Sequence, residues 1–202
     1  MTLFDQGGPL MWPLLALSLA ALAVILDRGI VLSTLGFPIR GMVDKLGEAV
    51  RRGDADVLQS VCATLPAAVR PFGDVLLDSA YAGEKARALH LLGEGIVRDL
   101  SRHVGVLGLV VRLAPLVGLL GTVYGMIVTF SGVAAAGGAV DMAGLAGGIW
   151  QALLTTAAGL SIAIPALAAQ LWCNSRIDRV SDAMNALVDA AFALEQSHVR
   201  VA

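Results

Sequence analysis

Three stretches of the chain contain no charged side chain: residues 9–26, 113–140 and 142–175. A membrane-crossing helix needs roughly 17 to 25 mainly apolar residues at about 1.5 Å rise each. The pattern therefore predicts three transmembrane helices, the third stretch being long enough to include a loop or a tilted, protruding section as well. Between the first two spans, apolar residues at Ile39, Met42, Val43, Leu46 and Val50 recur at helical spacing. Gly53 interrupts that segment, and Asp54 is placed to cap a second helix through Val57, Leu58, Val61 and Leu65. Pro66 and Pro71 punctuate the resulting hairpin. Residues 84–112 contain no proline, which allows a cytoplasmic helix that runs without a break into the second span, although Gly93, Gly95, Gly105 and Gly108 weaken it. Beyond the third span, Ile177, Val180, Met184, Leu187, Val188, Ala191 and Leu194 make one apolar stripe. Such a stripe packs on a neighbouring helix, of this chain or of another subunit.

The expected fold class is thus an all-α integral membrane protein with three transmembrane helices and long cytoplasmic helical extensions. Its expected organisation is an N-terminal outer segment and first transmembrane helix over 1–27, a cytoplasmic helical region over 28–103, the second transmembrane helix over 104–133, a short external loop over 134–144, the third transmembrane helix over 145–173 and a cytoplasmic helical tail over 174–202. Composition agrees: apolar residues make up 57% of the chain and charged residues 15%, where a soluble domain has about half and about a quarter. The basic residues set the orientation. Lys45, Lys85 and every arginine lie between residues 27 and 112 or after 174, whereas 1–26 and the connection around 131–144 hold none. The positive-inside rule then places the N-terminus outside and the C-terminus in the cytoplasm, in a multi-pass protein of the inner membrane. Ala21-Leu22-Ala23 offers a small-residue cleavage site, but no basic segment precedes it and Asp27-Arg28 follows at once; the first helix reads as an uncleaved anchor. Arg28 and Arg112 are expected at the inner interface, their charges reaching out of the hydrocarbon.

Several chemistries find no support. No GxxxxGK[ST] phosphate loop is present. Cys62 and Cys173 are single and distant and read as small apolar groups. His90, His103 and His198 lack metal-ligand spacing. A net charge of −2 gives no reason to expect nucleic acid. No enzyme, no metal and no cofactor are expected.

What the spans do carry is small and polar residues. In the second, Gly118, Gly121 and Gly125 clear one side of the helix, and Gly121xxxGly125 has the spacing of close helix association. The third supplies the small residues Ala152, Ala157, Ala158, Gly159 and Ala163. Close packing accounts for these small residues but not for Gln151, Thr155, Thr156 and Ser161. At 100° per residue, Gln151 and Thr155 lie about 40° apart and Thr156 about 140° from Gln151. Thr155 can bond back to the carbonyl of residue 151. The Gln151 amide needs partners or water, so it is expected in the bundle interior or along a watered path, with Thr122 as a companion. Asp141 reads as an N-cap for the third helix.

The run Ala114-Pro115-Leu116-Val117-Gly118-Leu119-Leu120-Gly121-Thr122-Val123-Tyr124-Gly125-Met126, followed by Gly148-Ile149-Trp150-Gln151-Ala152-Leu153-Leu154-Thr155-Thr156-Ala157-Ala158-Gly159-Leu160 and Ile164-Pro165-Ala166, closely resembles the MotA/TolQ/ExbB proton-channel family. The first span, from Gly8-Pro9 to Asp27-Arg28, also looks like the family's first helix, and the chain length favours the ExbB/TolQ branch. The resemblance implies a homo-oligomeric ring, a pentamer, whose second and third helices line a central pore holding the single-span helices of a dimeric ExbD/TolR-like partner. A partner aspartate then carries the proton, and ion flow drives mechanical work relayed through a TonB-like protein or the Tol system. Thr122 and Thr156 match the two pore threonines of the family. Gln151 departs from it, standing where a glutamate is common; an amide has no ionisable proton. Either the partner's acid is the sole relay and Gln151 keeps the pore polar, or one conduction step is lost. The alternative function is a structural membrane oligomer that organises a partner and conducts nothing.

Overall fold

The computed structural model describes residues 7–34, 41, 45, 47–49, 52, 55–64, 70–77, 85–135 and 141–201. The described residues contain six long helical elements and no strand: α1 Met11–Thr34, α2 Ala55–Ala63, α3 Arg70–Leu77, α4 Lys85–Ser101, α5 Val104–Ala135 and α6 Met142–Val201. Three are long and apolar enough to cross a membrane, over Met11–Ser33, Val104–Ala135 and Met142–Ala186. The chain divides into two compact units, one of Met1–Asp27 with His103–Trp172 and one of Arg28–Arg102 with Cys173–Ala202.

In the first unit α1 packs on α5 and α6. Leu14 and Ala21 of α1, Leu107, Val110 and Ala114 of α5, and Ala163 and Ala166 of α6 form one buried cluster. The outward faces remain apolar, with Trp12, Leu19, Leu116, Ile127, Leu153 and Ile164 all more than half exposed; a soluble protein would cover them, and lipid or other subunits can do so here. Asp141 caps α6 as its sequence position predicts: Ala143 donates its backbone N–H to the Asp141 carboxylate at 3.0 Å, and Leu145 to the Asp141 carbonyl at 2.9 Å. At the opposite end of this unit, His103 Nδ1 stands 3.4 Å from Asp27 Oδ2.

In the second unit the C-terminal helix buries Ile177, Val180 and Met184 of the expected stripe, with Ala183 beside them, each 5% exposed or less, and Val188 is half-buried; the side chains of Leu187, Ala191 and Leu194 lie outside the described residues. Its neighbours lie in the same chain: Gly93 of α4 faces Phe72 of α3 on one side and Met184 of α6 on the other, each within 4 Å of where a Cβ would stand. Pro71 does not merely interrupt a loop. It is the second residue of α3, where its missing N–H costs nothing. The Cys62 thiol is buried, donates to the Gly73 carbonyl at 3.7 Å, and is pushed above its ordinary pKa by desolvation and then by nearby Asp74. The helix expected around Ile39, Met42, Val43, Leu46 and Val50, with Gly53, Asp54, Leu65 and Pro66, lies outside the described residues.

One difference from the sequence pattern is clear. The uninterrupted helix expected across residues 84–112 is broken: α4 ends at Ser101, Arg102 and His103 form a turn, and α5 starts at Val104. Arg28 supplies a physical reason. Only 9% exposed, it donates from Nη1 to the carbonyls of Asp99 and Leu100, both at 3.2 Å. A cation on the last carbonyls of a helix satisfies acceptors that a continuing helix would have used and complements the negative end of the helix dipole.

Candidate functional site

The site is built on the seam between α5 and α6. On α5, Ala114, Gly118, Gly121 and Gly125 are all buried; on α6, Ala152, Thr155, Gly159, Ala163 and Ala166 are. The α5 set advances by four, three and four residues and the α6 set by three, four, four and three, close to the 3.5-residue period of a coiled-coil seam, here made of small side chains. GxxxG spacing alone describes one step of it. The backbones approach until nothing larger fits. A Cβ on Gly118 would stand 3.1 Å from the Thr155 carbonyl oxygen, and one on Gly159 would stand 2.5 Å from the Ala114 carbonyl oxygen. A Cβ on Gly121 would collide with the Thr155 hydroxyl, and one on Gly125 would lie 3.0 Å from Ala152 Cβ. The four glycines expected to permit helix packing all lie in this seam, which leaves no room for a water path between α5 and α6 at these positions.

The threonines divide by role. Thr155 is 2% exposed, and its hydroxyl is turned back onto its own helix, donating to the Ala152 carbonyl at 2.8 Å and more weakly to Gln151 at 3.4 Å. Thr156 instead reaches across the seam and donates to the Gly118 carbonyl at 2.9 Å. Thr122, one turn along α5 from Gly118, donates to the Leu119 carbonyl at 2.7 Å and borders an open groove with Val123, Met126, Ile127 and Phe130. With their protons engaged, both hydroxyls present lone pairs, which accept hydrogen bonds from a protonated acid or from water.

Gln151 points elsewhere. Its amide nitrogen abuts Gly8, three residues before α1 begins, so the structure associates Thr156 with α5 and Gln151 with the segment leading into α1. Gly8 has φ of 72°, in the left-handed region, and the space beside it is filled by the glutamine; glycine is required on both counts. Gly8→Ala is expected to lower stability by about 1–3 kcal/mol, read as an earlier melting midpoint in detergent. Gly29→Ala, inside α1 with nothing within 4 Å, is expected to be neutral or slightly stabilising by comparison. The pattern of polar residues did not single out Gln170, which packs similarly: its amide nitrogen would lie 3.1 Å from a Cβ on Gly108. A glycine facing a lone amide across a membrane helix pair is the signal that would have found it.

Of the two expected interfacial charges, Arg28 is the buried helix cap described above, and Arg112 is exposed on α5. Among the described residues no group of three or more His, Cys, Asp or Glu is placed to hold a metal ion.

Residues 75–186 match the MotA/TolQ/ExbB proton channel family. The chain is 32% identical over 194 residues to the biopolymer transport protein exbB1 of Vibrio cholerae serotype O1, covering 90% of this chain and 83% of that protein. It is 34% identical over 172 residues to a putative biopolymer transport protein, ExbB-like 1, of Synechocystis sp., covering 81% of this chain and 66% of that protein. A shorter match, 46% identical over 70 residues, joins 35% of this chain to 21% of the biopolymer transport protein ExbB of Pseudomonas putida. With three membrane-length helices and a closely packed α5–α6 seam carrying the motif residues, the chain belongs to the MotA/TolQ/ExbB proton channel family, in its ExbB branch.

Proposed function

We propose that this chain is the pore-forming scaffold subunit of an inner-membrane energy transducer, assembled as a homo-oligomeric ring, a pentamer by resemblance, around the membrane helices of an ExbD/TolR-like partner. The partner's membrane aspartate carries the proton, and the resulting movement is passed to a TonB-like protein, so that ion flow does mechanical work on the cell envelope. The chain is oriented with its N-terminus outside and its C-terminus in the cytoplasm.

The observation that carries this reading is the closed seam. Because α5 and α6 meet backbone to backbone at Gly118 and Gly159, any path along Thr122 and Thr156 runs outside the helix pair, on a surface that needs other chains to enclose it. No carboxylate lies in residues 9–26, 113–140 or 142–175, so a mobile proton carrier has to come from another polypeptide. Supplying the acid on an enclosed helix also avoids exposing a charge to lipid, which costs about 2.5–3.5 kcal/mol at the centre of a span. The driving force is adequate: one charge crossing 100 mV releases about 2.3 kcal/mol. Gln151, held against Gly8, then serves as a polar anchor for α1 and not as a relay.

Proton uptake by proteoliposomes containing the chain and its co-purified partner tests this. The native complex should pass protons, the flux should vanish when the partner's membrane aspartate becomes asparagine, and Gln151→Glu should not raise it. Flux that appears only on Gln151→Glu would make the native chain a conduction-impaired form. No flux from either would favour the non-conducting structural oligomer.

A further inference from the structure

Arg112 is the one charged residue in the 32 residues of α5. The apolar run of α5 by itself would set Arg112 at the membrane edge, since residues 113–135 suffice to cross. The contacts of α1 give a different depth. Ahead of Asp27 its charge-free run, residues 6–26, is 21 residues long, close to the roughly 20 that cross a hydrocarbon core, so this helix spans only if its two ends lie near the two boundaries. One end, Gly8, lies against Gln151 of α6; the other, Asp27, lies 3.4 Å from His103 at the start of α5. Arg112 is nine residues beyond His103, about 13 Å into the slab. The α5–α6 contacts agree: Gly108 meets Gln170 and Gly118 meets Thr155, which bracket Arg112 opposite the middle of the α6 segment lying between Gln151 and Trp172.

The direction of the side chain is equally constrained. At 100° per residue, Arg112 lies about 180–240° around the helix from Ala114, Gly118, Gly121 and Gly125, and so faces away from its own bundle. It shares a stripe with Leu119, Val123 and Phe130, each at least half exposed. Among the described residues its guanidinium has no hydrogen bond or ion pair. Another copy of the chain offers no carboxylate at this depth, because residues 9–26, 103–140 and 142–175 contain none. A lipid phosphate is the other anion available. The Arg side chain leans toward the helix N-terminus, toward the Asp27 boundary, yet it spans little more than one turn of the two and a half that separate it from His103.

We propose that Arg112 is an intramembrane cation that holds a carboxylate of the enclosed partner, on a level about ten residues, or roughly 15 Å, nearer the Asp27 boundary than Thr122. This rests on the reading above in which a partner fills the ring. The pair locks the partner in register on a stripe about 80° around α5 from Thr122, and the charge is neutralised only when the partner is seated.

The test compares wild type, Arg112→Gln and Arg112→Lys, each co-expressed and purified with the partner in mild detergent. Removing a charge eases insertion of a membrane helix, so the variants reach the membrane, and light scattering checks the ring size. Arg112→Gln should lower the partner retained per ring by about tenfold or more, and Arg112→Lys should recover most of it. One partner carboxylate, changed to its amide, should give the same loss, with no further loss in the double variant. Unchanged partner retention overturns the proposal, whether accompanied by a fall in bound phosphatidylglycerol, which would assign Arg112 to lipid, or by a change in ring size, which would assign it to a contact between copies. Proton flux of the wild-type complex separates the two readings. Partner loss in Arg112→Gln without wild-type flux sinks conduction and keeps the ion pair; flux with no Arg112 effect sinks only the ion pair.

Discussion

Gly159→Ala should separate α5 from α6 and cost the protein most of its assembled form. The added methyl has nowhere to go, because its nearest neighbours are backbone: the Ala114 carbonyl oxygen at 2.5 Å, the Ala114 carbonyl carbon at 3.3 Å and Gly118 Cα at 3.3 Å. A flexible side chain could rotate away; a helix carbonyl that is held in its own ladder cannot. Overpacking of this kind costs about 1–3 kcal/mol or more, and in a membrane no hydrophobic term between helices compensates, since packing itself supplies the attraction. The same displacement would pull Thr156 off the Gly118 carbonyl, so ion flux should fall with stability. The fraction of monodisperse oligomer after stepped heating in detergent measures the first effect. Gly132→Ala is the control: nothing lies within 4 Å of its position, and its melting midpoint should match wild type. Equal midpoints for Gly159→Ala and Gly132→Ala would mean that the seam is looser than described.

Thr156→Val should do the reverse, abolishing energised function while leaving assembly intact. Valine keeps the volume and the β-branch but removes the hydroxyl that donates to Gly118 O. Hydrogen bonds between membrane helices contribute only about 0.6 kcal/mol on average, too little to disassemble a seam built on close backbone contact. The lost lone pairs are another matter. An acid that delivers its proton beside Thr156 would meet a methyl group in place of an acceptor, and a barrier raised by about 1.4 kcal/mol already cuts the rate tenfold. A fall in proton flux of about tenfold or more, with unchanged oligomer size and partner content, is the expected result. Thr155→Val provides the contrast: that hydroxyl is buried and turned onto its own helix, so flux should persist. Equal flux in wild type and Thr156→Val would remove Thr156 from the pathway.

Much of the fold was legible because lipid imposes simple demands. A segment that must satisfy its own backbone and shed its charges shows itself as a long uncharged run, and each of the three runs became a helix. Asp141 was legible as a cap for a local reason: the bond it makes reaches only two residues along the chain. The helix break at residues 102–103 was not legible, since no proline marks it and the residue responsible, Arg28, is 71 positions from the Asp99 carbonyl that it caps. The glycines of the site were visible as small residues, but only one step of their spacing was recognised as a packing signal. The polar residues were harder still. Thr122, Thr156 and Gln151 read as one pathway, whereas Thr156 bonds to α5 and Gln151 packs beside Gly8, because a residue's angle on its helix does not say which neighbour occupies that angle.

What the sequence by itself determined is the number of spans, their apolar character and the seam of small residues through which two of them meet. Those properties follow from hydropathy and from side-chain size, which each helix carries on its own. What only the tertiary structure decided is register: that Gly118 meets Thr155 and Thr156, that Gln151 meets Gly8, and that Asp27 meets His103. A uniform apolar surface can slide along another with little change in energy. The depth of a charge or a hydroxyl is settled only where backbones touch closely enough that one residue more or less would collide.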